Sequence, residues 1–272
     1  MLGRYPLGVM QGRLLAEYKG RYQAHPVGYW RDEFEIAADL GLELIEFILD
    51  FENAGKNPLL AEPEAVLKAA AETGVEVRSI CADYFMEAPI QRNTASAGVL
   101  DRLIANAASL GVRDVVIPCV DQSSLNDDTE AAGFAEALRP LADRAGEKDV
   151  NLSLETDLAP GPFVELLERI GHAAVSVNYD TGNSAALGFD PAEEFAAYGN
   201  RITDIHIKDR ALAGGPVMLG DGACDFQTVF GLIAKSDYDG PLIMQAYRDD
   251  EGLGVFKRQK DWLEDNYGAL LT

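Results

Sequence analysis

The chain is poor in cysteine, histidine and basic residues, and it has no long apolar run. It has three cysteines, Cys81, Cys119 and Cys224, in 272 residues. They are odd in number, widely spaced and form no C-x-x-C pair, which argues against a disulfide frame and for a reducing cytoplasm. Lys and Arg total 23 against 45 Asp and Glu, a formal charge of −22. That balance excludes the basic face that duplex DNA requires, so no nucleic-acid partner is expected. It leaves room for a local basic pocket that holds a small anion. No apolar stretch approaches the roughly 18 residues of a membrane span, so no membrane partner is expected either. The opening MLGRYPLGVM is broken by Gly and Pro and does not read as a signal peptide. Also missing is any G-x-G-x-x-G after a strand-like run. The one suggestive glycine cluster, LGDGACDF, lacks the Lys-Ser/Thr of a phosphate-binding loop.

What the chain has is alternation. Eight strand-like runs occur: 7–11, 42–49, 75–82, 114–120, 151–156, 175–182, 202–209 and 241–248. Most are continuously apolar, as expected of strands covered on both faces. Helical patterns lie between them, and those at 31–41, 63–74 and 96–111 each end in Gly as the apolar period stops. Asp190-Pro191 and Asp225 supply starts for the helices after the sixth and seventh runs. With 47% hydrophobic residues and a length close to the roughly 250 of one (β/α)₈ barrel, the pattern predicts a single α/β domain over 1–272, a TIM barrel. A doubly wound sheet is the alternative. The loops after the first, third and seventh runs are long, which suits lids or binding walls at a barrel mouth.

Four polar residues stand at matching points. Glu155 ends NLSLE, Asp180 ends VSVNYD, His206 lies in TDIHIKD and Gln245 lies in PLIMQAY. A barrel brings such strand ends to one mouth. Two carboxylates, an imidazole and an amide oxygen would then face one point, a donor set suited to a divalent metal. Taken singly, each has a plainer reading. Glu155 is a solvated acid, Asp180 a helix cap, His206 a satisfied core histidine and Gln245 an unremarkable amide. Their equivalent placement favours function. Lys208, on the strand face of His206, is a candidate proton donor, as are Glu46 at the end of the second run and Asp83 just past the third. Asp209 is a candidate to orient His206 or Lys208 from behind. Arg13, Arg21 and Arg248 are candidates to hold a phosphate or carboxylate, although each alone reads as a surface residue. Cys224 reads as structural.

The segments LSLET, NYDTGN, DIHIKD and LGDGACDF, with the opening GVMQGRL, resemble the xylose isomerase-like (β/α)₈ family across the whole chain. That family includes sugar epimerases, hydroxypyruvate isomerase, inosose dehydratase and endonuclease IV. The resemblance implies one divalent ion, Mn²⁺, Mg²⁺, Co²⁺ or Zn²⁺, held by Glu155, Asp180, His206 and the residue at 245. It implies a sugar or related carbonyl substrate near Arg13, Glu46, Asp83, Asn183 and Arg248. The chain departs from the family twice. Gln245 stands where a glutamate serves as the second acid/base, and Asn183 stands where several epimerases have His. The expected activity is α-proton abstraction by Glu155 in an isomerase or epimerase, with one-base chemistry because Gln245 cannot exchange a proton. Inosose dehydratase-like elimination is the close alternative, and a metal- or sugar-binding protein on an altered barrel is another. Repair of the endonuclease IV type ranks low, because it needs many histidine ligands. A homo-oligomer remains open at this level.

Overall fold

The computed structural model describes residues 4–270, so the first three residues of MLGRYPLGVM lie outside it. Eight parallel strands close into a barrel. They are β1 Leu7–Met10, β2 Leu44–Ile48, β3 Ser79–Cys81, β4 Asp114–Cys119, β5 Asn151–Thr156, β6 Val175–Asp180, β7 Ile202–Ile207 and β8 Leu242–Met244. Each pairs with its sequence neighbours, and β1 closes the ring on β8. The main helices after the strands are Asp32–Asp39, Pro63–Thr73, Ser96–Leu110, Asp128–Gly146, Pro160–Ile170, Pro191–Tyr198, Phe226–Lys235 and Leu253–Tyr267. The barrel, not the doubly wound sheet, is therefore the fold.

Local chemistry explains the boundaries. Asp190 and Asp225 cap their helices by accepting the amides of Ala192 and Thr228, which covers donors that a helix N-terminus leaves free. Gly74, Gly111 and Gly171 end helices in the left-handed conformation at φ 77°, 72° and 64°, where a Cβ would be strained. Several strands are shorter than their apolar runs. Thr181 and Gly182 leave β6 and open an extra helix, Thr181–Leu187. Asp209–Arg210 leaves β7 and pairs antiparallel with Pro216–Val217.

Alternation sorts each strand into an outer and an inner face. Outward side chains build the large core against the helices, including Phe34, Phe47, Leu103, Phe134, Ile205 and Phe230. Inside the barrel a smaller apolar cluster consists of Met10, Leu44, Ile48, Cys81, Val116 and Ile243. Each such burial contributes about 1.5–3 kcal/mol. Gly8 is required here, since a Cβ would meet Ile243 Cδ1 at 2.6 Å and Leu44 Cβ at 2.8 Å. The β5–β7 side of the interior is polar instead. A bulge shifts β7 against β6 between Val177 and Asn178, so that Val177 pairs with Ile202 but Asn178 with Asp204. Thr203 is the extra residue. It turns inward to donate to Asp114 Oδ1 at 2.6 Å, and Asp204 and His206 follow it on the inner face.

Candidate active site

Three of the four strand-end residues meet. Glu155, Asp180 and His206 each offer a ligand atom, all within 4.8 Å of one another. Glu155 Oε1 accepts from Asn183 Nδ2 at 2.6 Å and Oε2 from Asn178 Nδ2 at 3.1 Å. His206 Nδ1 lies 3.4 Å from Glu155 Oε2 and 3.9 Å from Asp180 Oδ2. Asp180 does both things its position offered. Oδ1 accepts the amide of Asn183 at 2.7 Å and caps the extra helix. Oδ2 is buried with no hydrogen bond, facing Lys208 Nζ at 3.6 Å.

His206 is fully buried. Its Nε2 lies 2.8 Å from Glu46 Oε1, and Glu46 also accepts Ser79 Oγ at 2.5 Å. Burial would push this imidazole down, but the Glu46 and Glu155 carboxylates outweigh it and hold the group well above its ordinary value. That favours a proton on both ring nitrogens; to ligate, Nδ1, which faces Asn178, Glu155 and Asp180, would give up its proton while Nε2–H stays directed at Glu46. Such an outer carboxylate fixes the tautomer of a metal-binding histidine. Asp209, expected in that role, does not perform it. Its carboxylate accepts the amides of Arg210, Gly220, Gly222 and Cys224 and so organises the LGDGAC loop. Glu46, read from sequence as a proton donor, takes the orienting place because β2 lies across the barrel from β7. Behind it, Asp204 is pushed well above the carboxylate range by burial and by Glu46.

The fourth residue joins a second network. Gln245 Nε2 donates to Gln23 Oε1 at 2.7 Å, and its own oxygen is buried without a partner. Gln23 comes from the first long loop and was missed from sequence. It accepts Arg13 Nη2 at 2.9 Å and donates to Asp83 Oδ2 at 3.1 Å. Arg13, Gln23, Asp83 and Gln245 thus form one wall of the mouth. Asn183 is held by cations. Its oxygen accepts Lys208 Nζ at 3.3 Å and Arg210 Nη1 at 2.9 Å, which turns its amide nitrogen to Glu155. Arg248 is not available to an anion. Its guanidinium donates to the carbonyls of Arg13 (2.6 Å), Leu15 (2.9 Å), Asp249 (3.2 Å) and Gly252. Arg21 and Lys19 pair with Asp50 and Glu52. Asn178 and Asp204 carried no signal in the sequence beyond their alternation with Asp180 and His206.

The donor set fits a divalent cation. Three buried oxygens at the site, Asn178 Oδ1, Asp180 Oδ2 and Gln245 Oε1, lack hydrogen-bond partners. An unpaired buried polar atom is costly, and an ion between these carboxylates would satisfy the Asp180 oxygen. A cavity of about 640 Å³ opens along the wall that Gln23 and Asp83 form, lined also by Asp50, Phe51 and Gln122; Glu155, Asp180 and His206 do not line it. A cavity of about 670 Å³ at the opposite barrel end, near Arg78, Asp114 and Thr203, has none of the mouth residues.

Many known proteins are similar to this chain in sequence or in fold. L-ribulose-5-phosphate 3-epimerase UlaE of Salmonella choleraesuis is 25% identical over 263 residues, covering 89% of this chain and 92% of its own. A xylose isomerase-like TIM barrel protein from Mycobacterium smegmatis, solved in complex with magnesium, superposes with a TM-score of 0.74 at 22% identity, over 100% of this chain and 99% of that one. The 3-keto-D-glucoside 4-epimerase YcjR of E. coli superposes with a TM-score of 0.69 at 17% identity, over 86% and 94%. The family described as the xylose isomerase-like TIM barrel matches residues 34–266, and the chain belongs to it.

Proposed function

We propose that the chain is a metal-dependent sugar isomerase or epimerase that removes the proton α to a carbonyl. It is an enzyme of the sugar isomerase and epimerase class, as its epimerase relatives support. One observation carries the metal dependence: Glu155, Asp180 and His206 converge, with an unpartnered buried oxygen on Asp180. Glu155, Asp180, His206 and the oxygen of Gln245 would hold the ion. When bound, it polarises the substrate carbonyl and offsets charge on the substrate oxygens. Glu155 takes the α-proton. Asn178 and Asn183 hold both of its oxygens, so the base is aimed before substrate arrives. Glu46 keeps the one proton of a ligating His206 on Nε2. Arg13 and Gln23 close the wall that substrate hydroxyls meet.

Dehydration remains a second reading. Lys208 Nζ stands beside Asp180 at the mouth, where an ammonium could protonate a departing hydroxyl.

The test has two parts. Calorimetry should show that Glu155→Gln, Asp180→Asn and His206→Ala each weaken divalent-metal binding by at least tenfold while the fold persists. Unchanged affinity in all three would leave the residues as caps and core polar groups. The metal-loaded enzyme, given ketoses, inososes and sugar phosphates in deuterated water, should exchange an α-proton seen by NMR. Loss of water from an inosose would favour the second reading.

A further inference from the structure

The amide of Gln245 cannot carry a proton, so inversion at a substrate carbon would need a second acid or base elsewhere in the mouth. We infer that Asp83 is the second acid/base of this site, placed across the substrate from Glu155; the inference rests on the isomerase reading above.

The chain brings the two carboxylates to the same end of the barrel. Cys81 ends β3 paired with Val116, the Ala82 amide still donates to the Val116 carbonyl, and Asp83 follows as the residue that leaves β3 for the next helix. On the far side of β4, Pro118 pairs with Glu155. β4 separates them by two strand spacings, roughly 10 Å between backbones, and between them it presents Pro118, which has no polar side chain. A sugar carbon has room between two carboxyl groups set that far apart.

Asp83 also lines open space at the mouth, a cavity of about 640 Å³ that it shares with Gln23, Asp50 and Gln122. It is held without being neutralised. Cys81 Sγ donates to Oδ1 at 3.1 Å and Gln23 Nε2 to Oδ2 at 3.1 Å. No described ion pair joins it to Lys or Arg. Gln23 ties it to Gln245 and Arg13 through its own oxygen. The amide at 245 thus positions a carboxylate elsewhere in the mouth instead of supplying one.

The surroundings suit a proton donor. Burial comes first, and Asp50 and Glu155 add to it against the hydrogen bonds from Cys81 and Gln23, so the Asp83 carboxyl is pushed up to about 6. Arg13 is the nearby cation, and its side chain is held by Gln23. An acid of that strength is partly protonated near neutral pH, as return of a proton requires.

The step balances without a co-reactant. Glu155 accepts the α-hydrogen as a proton, and the C–H electron pair enters the enediolate. The Asp83 O–H bond then breaks, and its proton forms a new C–H bond on the opposite face. Glu155 ends protonated and Asp83 ionised, and exchange with water resets both. The product is the epimer. Single-base shuttling by Glu155 would return the proton to one face only.

Asp83→Asn in deuterated water tests this with the same sugars. The expected result is that the variant still exchanges the α-proton of recovered substrate, within about threefold of wild type, while formation of the inverted epimer falls 100-fold or more. Asp83→Glu should recover part of the inversion. Metal affinity by calorimetry should match wild type in both, which shows the site intact. Inversion at the wild-type rate in Asp83→Asn overturns the inference. So does equal loss of exchange and inversion, which would make Asp83 a substrate-binding group. Absence of α-proton exchange in the wild-type enzyme would instead sink the isomerase reading and the role of Asp83 with it.

Discussion

At the residue scale, His206 shows how far a side chain depends on its neighbours. It is fully buried, so its charge and tautomer are set by what touches it. Glu46 on one nitrogen and Glu155 on the other divide the ring between an orienting side and a ligating side. Replacing Glu46 by Gln keeps the size and removes the charge. Its amide can still accept from Nε2, but more weakly, and it can present an N–H instead and invert the tautomer. Outer carboxylates of this kind change metal affinity by about 10- to 100-fold. Glu46→Gln should therefore lose metal affinity in that range by calorimetry, with Glu155 and Asp180 unaltered. Affinity equal to wild type would show that the Glu46 contact orients nothing.

At the scale of elements, the loops decide what the barrel can do. Arg248 follows β8, yet its donors reach back to the carbonyls of Arg13 and Leu15 in the loop after β1. Charged hydrogen bonds of this kind contribute about 1.5–3 kcal/mol each at most, and orphaned carbonyls are costly. Arg248→Ala should cost about 3 kcal/mol of stability by denaturant unfolding and make residues 12–30 the first site of proteolysis. Resistance of that loop in the variant would show that it is held by other contacts.

The strands were legible because continuous apolar runs between helical periods have one reading in a barrel. β5 spans Asn151–Thr156 as the run implied. Strand ends at the mouth were less legible, because polar residues there pair with loops instead of neighbours, as at Asp209. The direction of Glu155, Asp180 and His206 was readable from alternation. The partners of Gln245 were not, since Gln23 lies 222 residues away in a loop without period. The task of Arg248 was hidden for the same reason. A guanidinium that binds backbone carbonyls looks no different in sequence from one that binds a phosphate.

At the scale of the whole molecule, acidity meets burial. With a formal charge of −22, the chain still places several ionisable groups in its interior, and two of them near the first loop oppose each other with pH. Burial lowers His25 to about 4, where its ring lies tilted against Trp30 and Phe47. Its folded value lies below the unfolded one near 6.5, so the unfolded chain binds the extra proton. Stability from this group is present above about 6.5 and is lost as pH falls toward 4. Burial raises Glu33 to about 7 against the amides of Gly12 and Leu14. Here the folded chain holds the proton more tightly, so stability is present below about 4.5 and is lost as pH rises through 7. The two slopes offset each other between about 4.5 and 6.5, and a flat wild-type profile there would conceal both. Substituting His25 by Gln removes one of them. On acidification from pH 7 to pH 4, with a chelator present to keep metals out, the variant should lose about 3 kcal/mol less than wild type. Comparing the two proteins at each pH cancels the carboxylates they share. Parallel curves for wild type and variant would mean that His25 accepts a proton in the folded protein as readily as in the unfolded chain.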